Sequence, residues 1–595
     1  MALVAMAMAA HAQQIPVDTF PMASVVSPDN KYLLVMTAGS HPPGISVIDL
    51  ASARELSRTP VADAWLGLVM TKAGDKVYVG GGSRAAVFEF TFAGGVLTAG
   101  RTFPVVAEKD RTPQDFVGDV RLSPDGRLLY AANVHRDTVV SMNPQSGLVI
   151  SRIKTGRRPY RILFHPAGKT FYVSSWADGA IGQYDVNSGD RLANFRVAPH
   201  PTDMVWADER VFVAGANTNN VYVMGASESG DLTKIETINL AFTARQPLGT
   251  TPSALALSAD KKLLYVACSD ANAVAVIDVA TGERSLVKGF VPTGLYPTAV
   301  TTLADGRLVV LNGHGGSVQL VGAPDDEKLI AYTNEVLAKS PYSDDKLDAV
   351  APDGSPVRAG GPIKHVVYVV ASNKAEGVNW ATAAISPDYT ERLSQNSEAG
   401  RRRVYDYEGQ DPANSPPAGY LWNAAAQAGI KIRNYGFQVH NREKATAEGE
   451  QVDRVYDSAL AASTDMEYRG PDPAYPDAER AKEFADEVKD YGELGDMPQL
   501  LLLRIGDDAQ ALRTVVDAVL KSRFWNETAI FVVDARSNAQ VISPWGNRDD
   551  AAVYGRMPML RTVEVILGLR PMTTFDAAAT PLYGAFTNRT LPAVR

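Results

Sequence analysis

The chain has 595 residues, enough for several domains at roughly 150 residues each. Hydrophobic residues make up 45% and charged residues 21%, which excludes a mostly disordered polymer. Lys and Arg number 58 against 67 Asp and Glu, a net −9, so the clustered basic charge that duplex binding requires is missing and no nucleic acid partner is expected. The single cysteine, Cys268, leaves no disulfide framework and no Cys-rich zinc site.

Residues 1–12 read MALVAMAMAAHA, an apolar run ending in the Ala-x-Ala pattern Ala10-His11-Ala12. They are expected to be a signal peptide without a basic n-region, which places the protein in the periplasm or outside the cell. The run is shorter than the roughly 20 residues a membrane span needs, and no membrane span is expected later.

A turn signature then recurs seven times: Ser27-Pro28-Asp29-Asn30, Lys72-Ala73-Gly74-Asp75, Ser123-Pro124-Asp125-Gly126, His165-Pro166-Ala167-Gly168, Ala207-Asp208-Glu209, Ser258-Ala259-Asp260-Lys261 and Ala304-Asp305-Gly306. Successive markers are 45, 51, 42, 41, 52 and 45 residues apart. That is the span of one propeller blade, and alternating apolar residues between Asp- and Gly-rich turns are hairpin signals. Residues 15–325 are therefore expected to close into a seven-bladed β-propeller, which removes exposed sheet edges. The run from Leu263 to Asp278, LLYVACSDANAVAVID, resembles the YVTN-type propeller repeat.

Before several of these turns stands a second repeat, in Gly156-Arg-Arg-Pro-Tyr-Arg161, Ala198-Pro-His-Pro-Thr-Asp203, Gly249-Thr-Thr-Pro-Ser-Ala254 and Gly294-Leu-Tyr-Pro-Thr-Ala299. Each proline leads into an innermost strand. Arg158, Tyr160, Arg161, His200, Asp203 and Tyr296 are thus expected to line the mouth of the central channel. Arginine forks suit carboxylates and phosphates, so the expected ligand there is an anionic small molecule. A solvated rim with no ligand is the plainer reading of the same residues.

Residues 326–361 form a linker that carries a short helix and then a Gly- and Pro-rich stretch, Ala349 to Pro362. From 362 to 595 strand patterns alternate with helical ones. Residues 363–371 form an apolar β-branched run, the mark of a strand buried on both faces. A helix over 417–428, strands over 430–435 and 499–505, helices over 477–491 and after 508, a strand over 529–533 and a helix over 559–567 follow. This alternation implies an α/β layer with a mainly parallel sheet, whose chemistry sits at the carboxyl ends of the strands.

Ile363-Lys-His-Val-Val-Tyr-Val-Val370, Tyr405-Asp-Tyr-Glu-Gly409, Pro416-Pro-Ala-Gly-Tyr-Leu-Trp422, Ser522-Arg-Phe-Trp525, Thr528-Ala-Ile-Phe-Val-Val533 and Phe575-Asp-Ala-Ala-Ala-Thr-Pro581 resemble the phosphoesterase branch of the alkaline-phosphatase superfamily. Bacterial chains that join a YVTN-type propeller to such a domain are a recognisable family, and this sequence resembles it end to end. The resemblance implies a two-metal hydrolase with a Thr or Ser nucleophile, a chemistry in which paired cations stabilise the attacking and leaving oxygens.

The chemical positions depart from that pattern. Ser372-Asn373-Lys374-Ala375 stands for the family's Glu-Asn-Arg-Thr, Asp507-Asp508-Ala509 for its Asn-Asp-His, and Asp534 leads into a shortened loop. After residue 362 the only histidines are His365 and His440. The expected domain is therefore a degenerate phosphoesterase, and the chain acts in binding an anionic small molecule or a protein partner. No catalytic residue and no certain cofactor is assigned. Asn373, Asp508 and Asp534 are the residual oxygen ligands, able to hold at most a weak Mg or Ca ion. The alternative is an active metal-dependent phosphoesterase with that reduced site. A third reading puts catalysis in the propeller, since lactonases share its repeat. It needs a carboxylate-lined metal site where the channel offers mainly Arg, Tyr and Pro.

Overall fold

The computed structural model describes residues 12–227, 230–282, 284–371, 377–398, 409–534, 538–547 and 554–589. The expected signal segment up to residue 11, and Asn373, lie outside the described residues. Among the described residues no helix is long and apolar enough to cross a membrane.

The chain forms two compact units, and two segments depart from simple chain order. The first unit takes the described residues up to Phe242, then Gly249–Ser340, and also the helix Asp388–Glu398. The second takes Thr243–Leu248, Pro341–Pro387 and the described residues after 408.

In the first unit seven four-stranded antiparallel sheets form the blades of a propeller. Blade one holds Pro21–Val26, Tyr32–Thr37, Gly44–Asp49 and Arg54–Pro60, and the next five repeat that order. Blade seven takes three strands from Pro297–Thr302, Leu308–Asn312 and Ser317–Val321, and its fourth is the N-terminal strand Ala12–Pro16. Its register sets Ile15 opposite Val318, which buries Ile15 and closes the ring. Leu33, Val35 and Ile48 of blade one then pack in one apolar layer with Val309, Leu311 and Leu320 of blade seven.

The recurring turn has a physical cause. In blade one the Ser27 hydroxyl donates to Asp29 Oδ1 at 2.6 Å while its oxygen accepts from the Tyr32 backbone N–H at 3.0 Å. Ser123 with Asp125 and Leu128 repeats this at 2.6 and 3.0 Å, and Ser258 with Asp260 and Leu263 at 2.7 and 2.9 Å. The side chains satisfy backbone groups that the turn frees from the ladder. The helix Asp326–Lys339, capped where Asp325 accepts from Lys328 N at 2.8 Å, lays Leu329 and Val336 against the propeller core.

The second unit is a six-stranded mixed sheet in the order Ile432–Tyr435, Leu500–Ile505, His365–Ala371, Thr528–Asp534, Asn538–Ile542, Tyr554–Gly555. The first four strands are parallel and the last two antiparallel. Every residue of the central strand His365–Ala371 is buried, as its unbroken apolar run requires. Val366, Tyr368 and Val370 join an apolar layer containing Trp422 and Leu560, whereas Val367, Val369 and Ala371 join one containing Phe484 and Val515.

Deleting residues 12–16 would expose the edge of Ser317–Val321. The expected outcome is a lower melting temperature and concentration-dependent association, read by scanning calorimetry and light scattering. A monodisperse product with unchanged melting would contradict this account of closure.

Candidate ligand site in the propeller channel

The first strand of each blade lines the central channel, because successive first strands touch one another around the ring. In six blades the pairing of this strand with the next slips once, between its first residue and its third or fourth, as between Pro159 and Ile162 or Pro201 and Met204. Such bulges re-aim side chains. Five of those blades enter the strand through a non-glycine residue in the left-handed region directly before a proline: Phe20 (φ 51°), Arg158 (56°), His200 (50°), Thr251 (53°) and Tyr296 (56°). Each costs about 1–2 kcal/mol, and strain of this kind collects where a side chain must be aimed. The proline register read in the sequence is thus a strained elbow at the channel mouth.

Inside, a cavity of about 440 Å³ is lined by first-strand residues from all seven blades, Arg121, Arg161 and Asp203 among them, with an apolar wall that includes Leu68, Phe164 and Leu255. Arg161 is 8% exposed. It donates from Nη1 to Asp119 Oδ1 at 3.0 Å and sets Nε 3.3 Å from Asp203 Oδ1. Burial works against the Arg161 charge, yet Asp203 and Asp119 outweigh it and hold the guanidinium more firmly protonated than usual. Arg121 donates from Nε to Asp119 Oδ2 at 3.2 Å, and its side chain stays 34% exposed. The two carboxylates also tie blades together, since Asp119 accepts from Ile162 N of the next blade and Asp203 from Leu255 N of its neighbour, both at 3.0 Å.

The six residues expected at the mouth fall at different depths. Arg161 and Asp203 meet in the cavity. Tyr160 is buried beside them, its ring 4.3 Å from that of Trp176. Arg158 stands on the rim, bound through its backbone N–H to Asp137 at 2.9 Å and through Nη1 at 3.4 Å. His200 is buried, with Nδ1 3.4 Å from Asn217 Oδ1. Tyr296 donates its hydroxyl to Asp388 Oδ1 at 2.8 Å. The mouth is therefore occupied by the chain's own helix Asp388–Glu398, which sequence reasoning assigned to no site. Asp119 and Arg121 were missed as well. They lie within an inner strand that carries no proline marker.

The three residual metal positions are not seen together. Asp508 caps the helix Ala509–Lys521, its Oδ1 accepting from Ala511 N at 2.7 Å. Asp534 ends the strand Thr528–Asp534, and Asn373 is outside the described residues. His365 sits at the opposite end of its strand, Nδ1 2.9 Å from the Pro498 carbonyl, and His440 pairs with Asp453 at 2.8 Å on the surface. Among the described residues no group of three or more His, Cys, Asp or Glu side chains is arranged to hold a metal.

Replacing Arg158 by Val should destabilise the protein by about 1–2 kcal/mol relative to replacement by Gly, because a β-branched side chain is strained at φ 56°. Denaturant unfolding of the two variants measures the difference. Equal stabilities would remove the strained elbow from the account.

Among solved structures, hydrazine synthase of Kuenenia stuttgartiensis is 17% identical over 52% of this chain and 98% of that one, with a TM-score of 0.44. Virginiamycin B lyase from Staphylococcus aureus is 15% identical over 52% and 98%, with a TM-score of 0.41. The Cps50 (Swd1) β-propeller domain of Myceliophteria thermophila is 10% identical over 52% and 98%, with a TM-score of 0.43. No curated protein matches the chain. Residues 110–325, which hold blades three to six and three strands of blade seven, match the family model described as YNCE-like beta-propeller.

Proposed function

We propose that this protein binds a ligand in the propeller channel and acts as an exported binding or scaffold protein, its second unit a phosphoesterase-like domain that has lost catalysis. The observation that carries the binding role is the cavity with its buried Arg161–Asp119–Asp203 network. With Arg121, which also pairs with Asp119, the four charged groups sum to zero. An anion would be held by guanidinium donors left over, above all those of the partly exposed Arg121, with Arg161 behind them. The fitting ligand is a small acceptor-rich molecule, a carboxylate or phosphate with an apolar part against Leu68, Phe164 and Leu255.

Loss of catalysis is supported by what the strand ends carry. The nucleophile position of the family pattern is Ala375, and the two histidines after residue 362 are engaged elsewhere. Export rests on the Ala10-His11-Ala12 pattern alone.

Titration calorimetry with inorganic phosphate and with benzoate as probes tests the binding reading. Heat is expected from wild-type protein with one or both, and Arg121→Gln should weaken affinity by about tenfold or more, the share of one charge-assisted pair. Binding unchanged by Arg121→Gln, or absent for both probes, would count against the channel. Asp508→Ala separates the structural role of that carboxylate from a metal-binding one. As a lost helix cap it should lower stability by about 1 kcal/mol in denaturant unfolding, whereas metal-dependent stabilisation abolished by the change would revive the reduced site.

A further inference from the structure

We propose that the mouth of the propeller is a peptide-recognition site and that residues 388–393 are its tethered ligand. This does not rest on the channel cavity binding an anion, and it concerns the opposite end of the inner strands.

The blades offer equivalent positions to this segment but different side chains. The turn after each second strand faces the mouth, and one or two residues past the strand stand His135, Trp176, Asn217, Asp270 and His314 in blades three to seven. A symmetric scaffold thereby presents an asymmetric set of contacts, as recognition of one peptide sequence requires. Asn217 Oδ1 accepts from the Asp388 backbone N–H at 2.9 Å, which takes up one donor that the helix start leaves open. Tyr389 sets its hydroxyl 3.3 Å from His135 Nε2 and its ring edge-on to Trp176 at 5.0 Å. Trp65 Nε1 donates to the Arg392 carbonyl at 3.2 Å.

The grip centres on charge. Arg392 Nε donates to Asp388 Oδ2 at 2.7 Å within the helix, both side chains are fully buried, and Arg392 Nη2 reaches the Thr298 carbonyl at 3.3 Å. A buried pair of this kind adds little stability against an apolar pair, but removing one partner leaves an uncompensated charge. It therefore works as a specificity device, accepting Asp-x-x-x-Arg at i,i+4 and rejecting segments that lack either end. Arg392 and Leu393 are fully buried although the segment lies outside the propeller in sequence.

The seat is also sensitive to pH. Asp270, which accepts from Thr251 Oγ1, faces Asp388 and Glu391 of the segment, and Tyr296 stands among these carboxyls and Arg392. His314, 3.9 Å from Glu391, is held below its usual range by burial and is neutral at pH 7. Burial first, then the charges of Glu391 and Asp388, push the Asp270 carboxyl up to about 8. In an open mouth it would titrate near the ordinary value of about 4. The seated state therefore holds a proton that the released state gives up. Seating is fully favoured below about pH 4, weakens as pH rises toward 8 and levels off above, by up to about tenfold per unit for one linked proton.

Hydrogen exchange on the full chain reads this directly. Backbone amides 389–393 should be protected in the wild type, less so as pH rises from 5 to 8 once intrinsic rates are divided out, and Asp270→Asn should flatten that slope. In the double variant Tyr389→Ala with Arg392→Ala the segment should exchange freely while the blade strands stay protected. That variant should then bind a synthetic peptide of residues 386–395 saturably, and the same peptide carrying Arg392→Ala at least about tenfold more weakly. Wild-type protein, its mouth filled, should bind neither. If the double variant fails to fold, Tyr296→Phe, which removes one bond to Asp388, should raise exchange of the segment alone. A protected segment in these variants, or no discrimination between the two peptides, would overturn the proposal.

Discussion

Seven inner strands must meet around one axis without filling it, and that constraint governs the molecule. The strands converge on a channel whose polar groups have few backbone partners, so side chains supply them. Asp119 and Asp203 each accept a backbone N–H from the neighbouring blade and share the guanidinium of Arg161. Were Arg161 lost, two carboxylates, one of them wholly buried, would face each other with much less compensation, a change expected to cost several kcal/mol. The strained residues before the inner-strand prolines belong to the same constraint: they turn the chain sharply enough to start each inner strand at the mouth.

From that frame the division of labour follows. The closing strand Ala12–Pro16 and the repeated Ser–Asp turns are architectural features. The repeat is broken in the unequal turn residues from His135 to His314 and in the charged residues of the inner strands, and the proposed specificity rests there. In the second unit the sheet core is intact, while the carboxyl end of Leu500–Ile505 leads to an Asp508 engaged in capping a helix.

The architecture was largely legible in the sequence and the occupied mouth was not. Seven turns at blade-length spacing announce a propeller because each blade must repeat the same hydrogen-bonding solution. The unbroken apolar run of 363–371 marks a doubly covered strand because every residue must be buried. The proline register located the elbows, and Arg161 with Asp203 did converge. Asp119 and Arg121 were invisible because a charged residue inside a strand reads as one more solvated position until the ring brings it to the axis. The segment Asp388–Leu393 was hidden for a different reason. Its only local signal is an acidic helix start with Arg392 four residues on, and its burial depends on groups 94 to 327 residues earlier in the chain.

In the proposed reading, function lies in the propeller and the α/β unit does not turn over phosphate esters. Hydrolysis of an aryl phosphate by the purified full chain, with and without added Zn or Mn, is the deciding measurement. No turnover above background is expected from protein whose blades are shown to be folded. Metal-dependent turnover that survives repurification and disappears in Asp508→Ala would contradict it.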